Sequence, residues 1–397
     1  MEMNGMNRYK VALIGALLGG VLVLPTTTDA VTVPGNERIA ATTDPVLVSV
    51  QLSQHFISDS IKGSAVVLGR ADVFADNLGG SALAGARRGV MLLTDGGDSA
   101  ELRPEVRTEI NRVLVRIDGP TDEELACRRG ELSGAALLRA VDVFILGGTA
   151  AVSQAVQDTL VDDRLCVKRL GGADRFETAL AIAEAVRTLH NGFNSVVMVA
   201  RADNPVDSAA AGALASWTEF PIVLTPSNAL APVVSDYLFT GESTIRLGVI
   251  MLGGPAALSS EVENAVIIGV ANSANENFFA SAERLAGEAR DTTAVKIGER
   301  YLNIFDGVKG VSVVIVNGYL DGKAPQADSW VYALTAGSLA WRENIVVVYV
   351  RQDRVDTPTC DFIARLSPPA VKVLGPTTVV SDAAFDQARL CSFQNQI

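Results

Sequence analysis

Histidine is almost missing: the 397-residue chain has two, His55 and His190, in different parts of it. No H-E-x-x-H run is present to hold a catalytic zinc, and no G-x-S-x-G elbow precedes a helix to expose a nucleophilic serine. Cysteine is scarce as well. The chain has four, none in a C-x-x-C pair, so with two histidines a zinc-binding set is excluded. Positive charge is in deficit, with 33 Lys and Arg against 45 Asp and Glu and a net charge of -12. Such a surface repels a nucleic-acid backbone on average, and no Lys/Arg run is dense enough to reverse that, so nucleic acid is not an expected partner. The glycine pairs in "GGTAAV" and "GGPAAL" lack the G-x-G-x-x-G spacing, and "GGSALAGAR" lacks the Lys-Ser/Thr of a phosphate loop. They read as tight turns, and no cofactor is expected.

Long apolar runs are confined to the N-terminus. Arg8 and Lys10 precede an uncharged stretch from Val11 to Leu24, and Thr28-Asp29-Ala30 places small residues at the two positions a signal peptidase reads. Residues 1–30 therefore read as a secretory signal peptide cleaved near Ala30. A retained membrane anchor is the weaker alternative, because crossing a bilayer takes about 20 apolar residues and Pro25 with Asp29 ends this run early. Membrane contact is expected only through that segment if it stays uncleaved.

What the chain has in quantity is self-similarity. With 48% hydrophobic residues it can bury more than one core. Three segments, "VFILGGTAAVSQAV" from Val143, "VIMLGGPAALSSEV" from Val249 and "VKVLGPTTVVSDAA" from Val371, each give an apolar strand, a glycine turn and a helix start. Ser153, Ser259 and Ser381 each stand six residues after the turn glycine (Gly147, Gly253, Gly375), where a hydroxyl can cap a new helix. Upstream of each lies a β-branched strand, a loop and an aspartate (Asp76, Asp207, Asp328) opening an alanine-rich helix, where a carboxylate is expected as a cap. Between them come "GVMLLT", "PIVLT" and "NIVVVYV". Continuous apolar strands alternating with helices predict parallel sheets covered on both faces.

A further motif precedes each copy: "RIAATTDPVLV" from Arg38, "RLGGADRFETA" from Arg169 and "RLAGEARDTTA" from Arg284. Only the second keeps an adjacent acid and base, Asp174 and Arg175. Arg290 stands in the place of Arg175 with Ala289 before it, and Thr43 and Asp44 fall at the two sites of the first copy. The repeats then run over 37–167, 168–282 and 283–397, each of about 120 residues and each long enough for one core.

The pattern R-[IL]-x-G-x-D-R-[YF]-x-T-A, the "ILLT"-like strand and the final "LGG" turn resemble the cell wall-binding repeat 2 family over three copies, from Glu37 to the C-terminus. Copy one lacks the Gly-x-Asp-Arg core, and copy three carries "GYLDGKAPQADSW" with a longer helix entry. The resemblance implies an α/β protein of three Rossmann-like repeats with parallel sheets in a pseudo-threefold arrangement. It also implies a surface protein of a Gram-positive bacterium; the leader adds secretion, and the missing nucleophile and metal constellations count against an enzyme. Its partner would be an anionic secondary wall polymer or a peptidoglycan-associated glycan, held non-covalently. A wall hydrolase of the amidase kind and an extracellular protein-binding scaffold are the competing classes.

Four cysteines in a secreted chain suggest two disulfides, with three connectivities open from sequence. Position in the repeat selects Cys127 with Cys166 and Cys360 with Cys391, because both pairs flank the glycine-turn strand and its helix in the same way. Each loop would contribute about 3–4 kcal/mol on the chain-entropy account. Asp174 and Arg175 have two readings: a helix cap with its tie to a neighbouring acceptor, which suffices at a helix start, or a contact with an acidic group on a polymer. Against an acidic protein an anionic ligand needs a local basic patch, for which Arg169, Arg175, Arg284 and Arg290 are the candidates. Met91, Leu92 and Leu93, with Ile222, Val223 and Leu224, match a stretch that the family associates with polymer binding, although such runs are ordinarily buried strand. Phe193 and Trp217 read as core or contact residues rather than as a sugar platform.

Overall fold

A computed structural model describes residues 36–58, 63–114, 120–192, 196–240, 248–273, 281–304, 310–320 and 328–393. The segment read as a leader, and Phe193, lie outside them. Among the described residues no helix is long and apolar enough to cross a membrane.

The chain forms three four-stranded sheets, all parallel, with helices between the strands. The first strand among the described residues, β1 (Glu37–Ile39), belongs to the last of these sheets. The first sheet contains β2 (Val66–Arg70), β3 (Val90–Thr94), β4 (Val143–Leu146) and β5 (Val167–Leu170) in the order β3-β2-β4-β5. The second contains β6 (Val196–Arg201), β7 (Ile222–Thr225), β8 (Gly248–Leu252) and β9 (Ser281–Leu285) in the order β7-β6-β8-β9. The third contains β10 (Ser312–Asn317), β11 (Ile345–Val350) and β12 (Val371–Leu374), with β1 beside β12, in the order β11-β10-β12-β1. Each strand order doubles back on its first strand, so each sheet has a switch point between its first and third strands.

Seven helices bear on the junctions between these sheets: α1 (Pro45–Phe56), α2 (Gly80–Ala86), α3 (Arg175–Leu189), α4 (Val206–Ala210), α5 (Gly212–Thr218), α6 (Arg290–Ile304) and α7 (Ser329–Gly337). The fourth strand of every sheet comes from the next motif copy. β5 and β9 carry Arg169 and Arg284 into the sheets of the preceding copies, and β1 pairs with β12 in the register Glu37 to Lys372, Arg38 to Val373 and Ile39 to Leu374. Each sheet thus draws one strand from the motif copy that follows it, the last from the first copy. The helix after that strand enters the next unit: α1 packs on β3, α3 on β7 and α6 on β11. The pairing of β1 with β12 therefore closes a ring.

At the centre of the ring α2, α5 and α7 meet, and α4 leads into α5. Small residues let their backbones touch. A Cβ on Gly85 would fall 1.8 Å from the Ser216 carbonyl oxygen, and one on Gly337 would fall 2.7 Å from the Ala213 nitrogen. Ser81 Oγ donates to the Leu334 carbonyl at 3.3 Å and Ser216 Oγ to the Ser338 carbonyl at 2.8 Å, so the hydroxyls buried by this approach are satisfied across the units. Trp217 donates from Nε1 to Asn344 and packs edge-on against Tyr301, as a contact between units.

Cys127 is bonded to Cys166 and Cys360 to Cys391, with Cα atoms 5.9 and 5.3 Å apart. Each bond ties a helix to the segment around the glycine-turn strand, in the first and third units.

Candidate ligand clefts at the repeat junctions

Each glycine turn is lashed by an arginine from the neighbouring strand. Arg38 Nη1 donates to the Gly375 carbonyl at 2.8 Å and its Nη2 to Asp382. Arg284 Nη1 donates to the Gly253 carbonyl at 2.7 Å, while its Nε and Nη2 donate to Glu263. Arg169 is directed at the carbonyls of Gly147, Gly148, Val152 and Ser153 and at Gln157 Oε1, all within 3.2 Å. These guanidinium donors point at protein acceptors, which explains the recurrent arginine in physical terms. Arg169→Ala should lower stability by about 2–4 kcal/mol, because the turn carbonyls lose charge-assisted donors; chemical denaturation measures it, with Arg164→Ala as an exposed comparison.

Asp174 caps α3. Its carboxylate accepts from the backbone N–H of Phe176 and Glu177 at 2.8 and 2.9 Å. In the first copy Asp44 does the same for α1, accepting from Val46 and Leu47. By geometry Asp44 thus corresponds to Asp174, not to Arg175 as equal offsets suggested. One extra residue precedes it, with Ala40 at φ 52°, and Pro45 stands where Arg175 would be. Arg175 and Arg290 act alike in their own copies: Nη1 donates to the Ala202 carbonyl at 2.8 Å and to the Gly318 carbonyl at 3.0 Å.

The aspartates opening the alanine-rich helices depart from expectation. Asp76 and Asp207 lie within the first turn rather than at the cap, and no side-chain cap bond is made there or by Asp328 at the start of α7. Asp76 and Asp207 instead turn under the glycine loops. A Cβ on Gly147 would lie 2.7 Å from Asp76 Oδ2, and one on Gly253 would lie 2.4 Å from Asp207 Oδ2. Burial pushes both carboxyls above the usual range, opposed by Thr178, Arg70 and Arg175 at Asp76 and by Arg201 and Arg290 at Asp207.

Two ion pairs that sequence reasoning missed flank these acids. Arg70 pairs with Asp72 and Arg201 with Asp203, both at 2.6 Å. Hydrogen bonds from Arg201 hold Asp203 down to about 2, and those from Arg70 lower Asp72. The shared "RAD" of "GRADVF" and "ARADNP" was the available signal. In the third unit Tyr319 takes this place. Its ring lies between Arg351 (4.0 Å) and Arg290 (5.6 Å), and its hydroxyl donates to Asp291.

These side chains gather at the carboxyl ends of the strands, by the switch points, where open α/β sheets place ligands. Arg175 and Arg290 reach this region. Met91, Leu92, Leu93, Ile222, Val223 and Leu224 do not: all six are 0% exposed, within β3 and β7. Their positions at the second strand of each sheet support the motif helices and offer no surface of their own.

The sequence profile of cell wall binding domain 2 (CWB2) matches residues 3–157, 169–263 and 284–385. Among curated proteins, N-acetylmuramoyl-L-alanine amidase LytC of Bacillus subtilis is 21% identical over 97% of this chain and 63% of its own length. An uncharacterized protein of Pyrococcus horikoshii, PH0614, is 41% identical over 23% of this chain and 26% of its own. Among solved structures, Cwp8 of Clostridium difficile superposes with a TM-score of 0.69 at 20% identity, over 96% of this chain and 54% of that one. Cwp6 of the same organism gives 0.66 at 18% identity, over 93% and 51%. The chain spans only part of each of these relatives, and at such identities the two structures share its fold. With the profile matched in all three copies, the chain belongs to the cell wall binding domain 2 family.

Proposed function

We propose that the chain is a secreted, non-enzymatic wall-binding protein that attaches non-covalently to a secondary wall polymer or a peptidoglycan-associated glycan, following export through residues 1–30. The observation that carries this reading is the family match in three segments that together fill most of the chain. Ligand contact is assigned to the repeat junctions, where Arg175 and Arg290 stand beside Asp76 and Asp207. Arg169 and Arg284 serve the glycine turns, and Asp174 serves its helix. This arrangement favours a glycan over an anion, since the junction cations are matched by acids.

The match to an amidase favours a second reading, a wall hydrolase. Pull-down of the purified protein on cell walls, before and after chemical removal of secondary polymers, separates the possibilities. The wall-binding reading predicts retention on intact walls and loss after removal. Unchanged retention would reject the polymer as ligand, absence of retention would favour a protein-binding scaffold, and release of muropeptides would establish the hydrolase.

A further inference from the structure

Six large apolar residues are exposed among the described residues, and five of them lie on one recurrent element, the helix that follows each glycine turn. Val161 is on Gln154–Asp162, Ile267 and Ile268 are on Ser260–Ser273, and Leu390 and Phe393 are on Asp382–Phe393. Counted from Ser153, Ser259 and Ser381, Val161 and Ile267 share the eighth position, and Ile268 and Leu390 share the ninth. The fold therefore turns the same face of this helix to solvent in every unit. What stands around the apolar residues differs. On the first helix Asp158 and Asp162 flank Val161, and on the third Asp386 and Arg389 flank Leu390, all four of them exposed. On the second no charged residue occurs from Asn264 to Asn272.

The second helix is apolar on both sides. Val262, Val266 and Val270 are buried in the core of their unit, whereas Asn264, Ile267, Ile268, Ala271 and Asn272 are exposed. At about 3.6 residues per turn those five fall on the face opposite the valines. Val233, on the adjacent helix Pro232–Phe239, is exposed as well. A helix that is apolar all round belongs inside a protein or an assembly, so this face suits a partner.

The order of its residues says which partner. Asn264-Ala265-Val266-Ile267-Ile268-Gly269-Val270-Ala271-Asn272 reads almost the same from either end, with Ile268 at the centre. When two such helices run antiparallel about a two-fold axis at Ile268, Asn264 meets Asn272 of the second copy, Ala265 meets Ala271, and Ile268 meets its own counterpart. Each asparagine amide carries donors and an acceptor, so the two satisfy one another. The alanines let the backbones approach on either side of the isoleucines. Glu261 of each copy then falls at opposite ends of the contact, whereas a parallel pair would set the two carboxylates together.

We propose that this face is a homodimer contact, in which two copies of the chain pair through antiparallel Ser260–Ser273 helices about a two-fold axis at Ile268. The equivalent helices of the first and third units, whose exposed apolar residues stand among charges, take no part. One helix pair buries less than the roughly 1,200–2,000 Å² of a standard interface, so the dimer is weak, with a dissociation constant of about 10–100 µM. Each copy carries a net charge of -12, so added salt tightens the pairing by screening the repulsion between copies. The pairing does not depend on what the repeat junctions bind.

Sedimentation velocity of the full chain, over a concentration series spanning that range, tests the proposal. Wild type should show a monomer–dimer equilibrium that strengthens with salt. Ile268→Glu and Ile268→Lys should each weaken it by about 10-fold or more, by setting like charges against each other, while Leu390→Glu should pair as wild type does. Because Ile268 faces its own counterpart, an equal mixture of the Ile268→Glu and Ile268→Lys variants should pair again, which no loss of folding could produce. A wild-type chain that stays monomeric throughout, unchanged pairing in Ile268→Glu, equal loss in Leu390→Glu, oligomers larger than a dimer, or pairing that loosens with salt would overturn the proposal. Failure of the mixture to pair would overturn the two-fold axis at Ile268.

Discussion

Gly85→Ala is expected to destabilise the protein by about 4 kcal/mol or more, through a single added methyl group. The methyl would fall 1.8 Å from the Ser216 carbonyl oxygen and 2.6 Å from its carbon, both in the backbone of α5. A flexible side chain could move aside, but here α2 and α5 would have to separate. Separation would break the Ser81 and Ser216 hydrogen bonds that cross the centre to the third unit. Gly148→Ala is the comparison, since nothing lies within 4 Å of its added methyl. Denaturant unfolding of the two variants should place Gly85→Ala far below wild type and Gly148→Ala close to it. Equal stabilities would mean that the central helices are not in contact.

The second large effect is expected where the ring closes. Lys372 on β12 is 0% exposed, and its ammonium is held by Glu37 of β1, with His55 Nε2 at 3.4 Å from Lys372 Nζ and 3.2 Å from Glu37. Removing one partner of such a pair strands a buried charge, so Glu37→Ala should cost about 3–5 kcal/mol. Adding Lys372→Met should recover most of that loss, because a methionine needs no counter-charge. A double variant no better than Glu37→Ala would contradict this account of the closure. His55 adds a pH dependence. Burial lowers its pKa more than Glu37 raises it, with Lys372 also lowering it, so the fold holds it neutral. Its contribution is present above the unfolded value near 6.5 and is lost as pH falls through the lower folded value. His55→Gln should flatten the stability profile in that window.

Much of the architecture is legible in the chain because period and turn chemistry act locally. Apolar runs such as "VFIL" ending in "GG" fix strand and turn, and the three-fold recurrence fixes the number of sheets. The pairing of Cys127 with Cys166 and Cys360 with Cys391 follows from the same recurrence. The exchange of the fourth strand is not legible. A motif beginning "RLGG" reads as the start of a unit, and nothing local says that its first residues belong to the sheet before. Asp76 and Asp207 mislead for a related reason: an aspartate at a helix start reads as a cap, and what turns it under a glycine is a loop far away in sequence. Arg169, by contrast, recurs because a turn carbonyl recurs.

The proposed attachment of a wall polymer at the junctions reached by Arg175 and Arg290 is tested most directly by methyl chemical-shift mapping with wall oligosaccharide, because Ala151 and Ala257 each place a methyl group against a glycine turn there. Attachment at the junctions predicts that the methyl signals of Ala151 and Ala257 move with added oligosaccharide. Signals that stay in place, or shifts confined to Leu92, Leu93, Val223 and Leu224 in β3 and β7, would contradict it.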